Sequence, residues 1–176
     1  MSPADSNRHE ETPMHRIAFL LLVVLSGCSD RPAGKASGEE AVRQAFVAFQ
    51  TALKERKAEQ MWDLLDTESQ ADAEQAAQAI RSAYMKATPA EKAEQEKALG
   101  LSGAELAELK GPGFLRTRRF HGKYDELPDS KIDKIVVQGN SATVSYVEPD
   151  GDQEKLTLLL QQGQWKPSVP MPRTAR

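Results

Sequence analysis

Between residues 39 and 57 the apolar positions fall at Val42, Ala45, Phe46, Phe49 and Leu53, while Arg43, Gln44, Gln50 and Lys54 are polar. Steps of three and four residues put the first set on one face of an α-helix and the second on the other. The spacing predicts a helix over 39–57 with a buried Phe stripe. Ala58 to Leu65, with Met61, Trp62, Leu64 and Leu65, predicts a short second helix beside it, and Asp66-Thr67-Glu68-Ser69 breaks the pattern. A third, alanine-rich helix is expected over 74–87, weakly apolar apart from Ile80, Ala83, Tyr84 and Ala76. Thr88-Pro89-Ala90-Glu91 then supplies a capping hydroxyl, a proline at the first helical position and the Glu of a capping box. That helix runs to Gly100, and Ser102-Gly103-Ala104-Glu105 repeats the logic ahead of Leu106 and Leu109. Gly111-Pro112-Gly113 reads as a helix stop and a turn, not as a phosphate loop.

The texture changes after Pro128. Lys131–Val137, Ala142–Val147 and Lys155–Leu160 are strand-like runs, separated by Gly139-Asn140 and Asp150-Gly151. Both separators are hairpin signals, and a last short strand is expected at Gln164–Lys166 after Gly163. Tandem strands joined by tight turns can only pair antiparallel, since parallel pairing needs long crossovers. Helices first and a meander second define an α+β domain.

Ahead of this body lies a different pattern. Ile17 to Leu25 is uniformly apolar, with His15 and Arg16 before it and small residues after it. It is too short to span a bilayer, which takes about 20 apolar residues, and has the form of an export signal. Leu25-Ser26-Gly27-Cys28 then resembles the lipobox of bacterial lipoproteins. The resemblance implies cleavage before Cys28 and acylation of its sulfur and new amino group, which anchors a protein without spanning; several chains together hold stably. Ser29, where Asp would imply retention at the inner membrane, favours the outer membrane, with the body facing the periplasm. Residues 1–13 carry Asp5, Glu10 and Glu11, whereas Met14-His15-Arg16 makes a basic start, so Met14 is the expected initiator. The expected organisation is a signal over 1–27, a lipidated linker over 28–37 containing Pro32 and Gly34, a domain over 38–170 and a tail over 171–176.

An N-terminal Phe-rich helix, a short helix with Trp62 and Leu65, and a meander closing on Gly163-Gln164-Trp165-Lys166 together resemble the NTF2-like (cystatin-like) superfold. That resemblance implies an antiparallel sheet bent around helices into a cone. Phe46, Phe49, Trp62, Val144, Tyr146 and Leu158 are the expected inner wall, either lining an open pocket for a small apolar ligand or filling the cone solid. Enzymes of this fold, lyases and isomerases, use an Asp or Glu base with His or Tyr inside the cone. Here the candidates are His121 with Asp63, Asp66, Asp125 or Glu126, and Tyr84, Tyr124 or Tyr146 as proton donors. No spacing singles one out.

Composition narrows the rest. A net charge of −3 from 23 basic and 26 acidic residues offers no footprint for nucleic acid. One cysteine excludes an internal disulfide and a cysteine-rich zinc site. Glu148-Pro149-Asp150-Gly151-Asp152 lacks the twelve-residue calcium pattern, and no G-x-S-x-G elbow is present. No metal or cofactor is expected. The densest charge is Leu115–Lys123, where Arg116, Arg118, Arg119 and Lys123 flank Phe120 and His121. Its guanidinium groups suit an anionic headgroup or phosphate, or else pair with Asp125, Glu126 and Asp129 on a loop face. The sequence therefore points to a membrane-anchored, non-catalytic domain that binds a small ligand or another envelope protein. An NTF2-like enzyme using His121 and a pure protein-interaction module are the alternatives.

Overall fold

A computed structural model of the chain describes residues 38–172. The leader, Cys28 and the linker lie outside those residues, as does most of the tail. The described part is α+β, with every helix preceding a four-stranded antiparallel sheet of order β1-β2-β3-β4. None of its helices is long and apolar enough to cross a membrane.

Helix α1 (Gly38–Lys54) buries Val42, Phe46, Phe49, Ala52 and Leu53, the stripe its periodicity marks. It stops three residues before the expected end. Arg56 takes a left-handed φ of 54°, Lys57 N–H reaches Ala52 O at 3.0 Å and Arg56 N–H reaches Leu53 O at 3.1 Å. This is the Schellman closure, normally announced by glycine; an arginine in that role hid the helix end. Helix α2 (Ala58–Leu64) follows. Asp66-Thr67-Glu68-Ser69, expected as a break, is instead the start of α3 (Thr67–Lys86). Asp66 is its N-cap, accepting the Ser69 N–H at 3.0 Å.

Both expected capping boxes form, Thr88 with Glu91 at the head of α4 (Pro89–Leu99) and Ser102 with Glu105 at the head of α5 (Gly103–Ala107). Gly111-Pro112-Gly113 does not merely turn the chain. It opens a single helical turn, α6 (Gly111–Phe114), with Pro112 tolerated in the first turn, where an N–H lacks an intrahelical partner anyway. The basic run, expected on a loop, is helical as α7 (Arg118–Lys123), capped by Thr117. A short 3-10 turn over Leu127–Asp129 leads into the sheet.

Strands β1 (Lys131–Gln138), β2 (Ser141–Val147), β3 (Gln153–Gln161) and β4 (Gln164–Ser168) fall where the strand-like runs place them. One face of the sheet carries Ala142, Val144, Tyr146, Leu156 and Leu158, all buried. Helix α1 packs on this sheet, its Phe46 ring 5.5 Å from that of Tyr146. The opposite face alternates to Thr143, Ser145 and Thr157. The β3–β4 link is a two-residue turn in which Gln162 and Gly163 both have positive φ, the backbone that suits the twist of a hairpin. Edge strand β1 is irregular between Ile132 and Lys134 and carries Lys131, Asp133 and Lys134, features that discourage edge-to-edge pairing.

The last residues are stitched to the helices. Pro167 in β4 accepts the Asp66 N–H through its carbonyl, and the buried Ser69 hydroxyl accepts the Val169 N–H at 2.7 Å. Lys123 Nζ and the Tyr124 hydroxyl both donate to Pro170 O. Ser69→Ala leaves the Val169 N–H buried without an acceptor and is expected to cost about 1–3 kcal/mol, measured by denaturant unfolding.

Candidate functional site

The expected inner wall is solid. Phe46, Phe49, Val144 and Leu158 are 0 % exposed, so none of them faces an open cavity, and Tyr146 is buried with them. Trp62 sits elsewhere, half-buried, its indole lying against Gly111 at the start of α6. Of the two outcomes the sequence left open for these residues, they take the packed one.

His121 is partly buried beside Phe120, ring centroids 5.9 Å apart. Burial, and secondarily the positive charge of Arg56, hold its imidazolium form below the ordinary range. No carboxylate lies within 4.0 Å of it among the described residues. The tyrosines are poor proton donors near neutrality. Tyr146 is pushed up to about 12, chiefly by burial and then by Glu148 and Glu154. Burial raises Tyr124 further, and Tyr84 is raised mainly by its hydrogen bond to Glu96. Asp66 is buried and caps α3 through Oδ1, its Oδ2 making no hydrogen bond among the described residues, and Asp63 and Asp125 are exposed.

The basic run does not pair with Asp125, Glu126 and Asp129. Arg116 meets Glu105 at 2.8 Å, Arg118 donates to Lys97 O at 3.0 Å at the end of α4, and Asp129 pairs with Lys54 at 2.7 Å. The reason is topological: α7 docks against α4, which places Arg118 and Arg119 beside the helices, while Lys123 at its far end reaches Pro170 O. Arg119 differs from its neighbours. It lines a trough of about 360 Å³ with Ala79, Ile80 and Ala83 of α3 and Gln95, Ala98 and Leu99 of α4. A second cleft, of about 410 Å³, runs past Glu59, Glu105, Glu108, Lys110 and Arg116, where charges of both signs mix.

Sequence reading missed one constellation. Glu126, Glu148 and Asp150 bring carboxylate oxygens within 4.8 Å of one another, joining the segment before the 3-10 turn to the β2–β3 hairpin. Glu126 and Glu148 lie 22 positions apart, so only the fold brings them together. Three carboxylates form a hard oxygen set, yet calcium takes six to eight oxygens. The stronger consequence is repulsion. Glu148 is raised above the usual carboxylate range by desolvation, then by Glu126, Glu154, Asp150 and Asp152. Glu126 is raised by desolvation and by Asp150, against a backbone hydrogen bond from Asp150 that lowers it.

A carboxyl with a raised folded pKa binds its proton more tightly folded than unfolded, so it favours folding fully below the ordinary carboxylate range. That contribution is lost as pH rises through the raised value. Glu148→Gln is therefore expected to raise the melting temperature at pH 7. The gain should shrink to nothing toward pH 4, as thermal unfolding across that range will read.

No family model matches the chain, and neither a curated protein nor a solved structure is significantly similar to it.

Proposed function

We propose that this chain is a bacterial lipoprotein, anchored through Cys28 at the outer membrane, whose NTF2-like body serves the envelope as a non-catalytic binding module. The packed interior carries the non-catalytic part of this reading: the space in which a lyase or isomerase of that fold would hold substrate is occupied by Phe46, Phe49, Val144 and Leu158. That no carboxylate among the described residues pairs with His121 supports the same reading. Helices preceding an antiparallel meander are compatible with the NTF2-like class. The anchor rests on Leu25-Ser26-Gly27-Cys28 following the apolar run Ile17–Leu25.

With the interior filled, partners must be met on the surface of the body. Several acyl chains hold a protein to a bilayer where one holds only marginally. The wild-type chain is thus expected in the membrane fraction of the producing bacterium, with fatty-acid mass on its first residue. Cys28→Ser should lose both the added mass and cleavage at residue 28. Fractionation with intact-mass spectrometry reads these outcomes, and an unmodified wild-type chain would overturn the anchor.

A further inference from the structure

We propose that the trough between α3, α4 and α7 binds a single-chain alkyl carboxylate, its headgroup on Arg119 and Gln95 and its chain along Ile80 and Leu99. The trough has the size of a small-molecule site at the lower end of the usual range of about 300–1,000 Å³.

Its shape follows from the residues. Helices α3 and α4 are joined by only Ala87 and Thr88 and are held by the Tyr84 hydroxyl, which donates to Glu96 Oε1 at 2.6 Å. Along the trough the facing residues are Ala79, Ala83 and Ala98, whose methyl groups are too short to close the gap. Ile80 and Leu99 are buried at its base. Burial of an alkyl chain there is favourable at about 25 cal/mol per Å² of apolar surface removed from water, a gain that a bare hydrated anion would not share.

The headgroup is argued from charge. Arg116, Arg118 and Lys123 are each engaged by protein groups, but Arg119 makes no ion pair or hydrogen bond among the described residues, and neither does the Gln95 amide. A guanidinium presents a planar fork that matches a carboxylate in two parallel hydrogen bonds. One unit of positive charge balances one carboxylate, whereas a dianionic phosphate would keep excess charge beside an apolar wall. This inference goes beyond the binding role proposed above and is independent of the anchor.

The test is calorimetric titration of monomeric dodecanoate, below its micelle concentration, into the full-length chain carrying Cys28→Ser, so that no acyl group of its own competes. Saturable binding at one site is expected. Arg119→Gln should weaken it about tenfold or more, the loss of one charged hydrogen-bonded contact. Ala83→Leu, at an exposed position where extra bulk fills the trough without entering the core, should weaken it comparably. Arg118→Gln should leave it within twofold, and dodecanol or acetate should bind at least tenfold more weakly than dodecanoate. Unchanged melting temperatures establish that the variants are folded. Absence of saturable binding to the parent chain, or equal binding by Arg119→Gln, would overturn the proposal. So would a preference for anionic phosphatidylglycerol vesicles over monomeric dodecanoate, which would assign Arg119 to a membrane surface.

Discussion

Phe46→Ala is expected to lower the free energy of unfolding by about 3–5 kcal/mol, the cost of emptying an aromatic site in a packed core. Phe46 is wholly buried on α1 and meets Tyr146 of β2, so truncation removes contacts across the junction of helix and sheet. Against a typical stability of about 5–15 kcal/mol, this is enough to leave a marginal domain partly unfolded. The experiment also separates two roles for the residue. A side chain lining an open cavity would cost far less when truncated, because water already touched it, and its loss would appear in ligand binding instead. Chemical denaturation of the wild-type and Phe46→Ala chains distinguishes these directly.

Gly111→Ala is the second change of large expected effect, here through crowding. A Cβ on Gly111 would overlap the Trp62 indole, lying 2.5 Å from Cη2, and would stand 3.1 Å from Glu74 Oε2. The Gly111 N–H donates to that same Glu74 oxygen at 2.7 Å. Relief needs the indole to shift, or α2 and α6, which pack on each other, to separate. Overpacking of this kind costs about 1–3 kcal/mol. The signature would be a lowered melting temperature that the double change Trp62→Leu, Gly111→Ala partly restores, since Leu vacates the volume the new methyl needs. Gly122, with no atom within 4 Å of an added Cβ, is the matching control.

These positions also show which parts of the molecule were legible in the sequence. The stripe Val42, Phe46, Phe49, Leu53 and the hairpin glycines are local codes, and they located α1 and the strands. Capping boxes are equally local, so the starts of α4 and α5 were readable to the residue. Where one residue type serves opposite ends, local reading misled. Asp66 and Thr67 resemble a loop but are the cap and first residue of a helix, and Gly111-Pro112 resembles a stop but begins a turn of helix.

The sites are another matter. Cys28 is legible because a lipobox is read by a peptidase as a linear string. The trough is assembled from α3, α4 and α7, with walls some forty positions apart. Its only trace in the sequence is alanine at 79 and 83, one helical turn apart, and again at 98. Glu148 and Asp150 stood out as an acidic hairpin segment, but their meeting with Glu126 left no trace, because only the path of the chain brings it there. Trp62 was grouped with the inner wall through the resemblance to an NTF2-like cone; Gly111, the residue that admits its ring, lies 49 positions away.

The stitching of Pro167, Val169 and Pro170 to Asp66, Ser69, Lys123 and Tyr124 has a kinetic corollary. Contacts so distant along the chain form late and slow the search for the native state. Helices α3 and α7 therefore gain this clasp only when residues 167–170, some fifty to a hundred positions further along, come to pack on them.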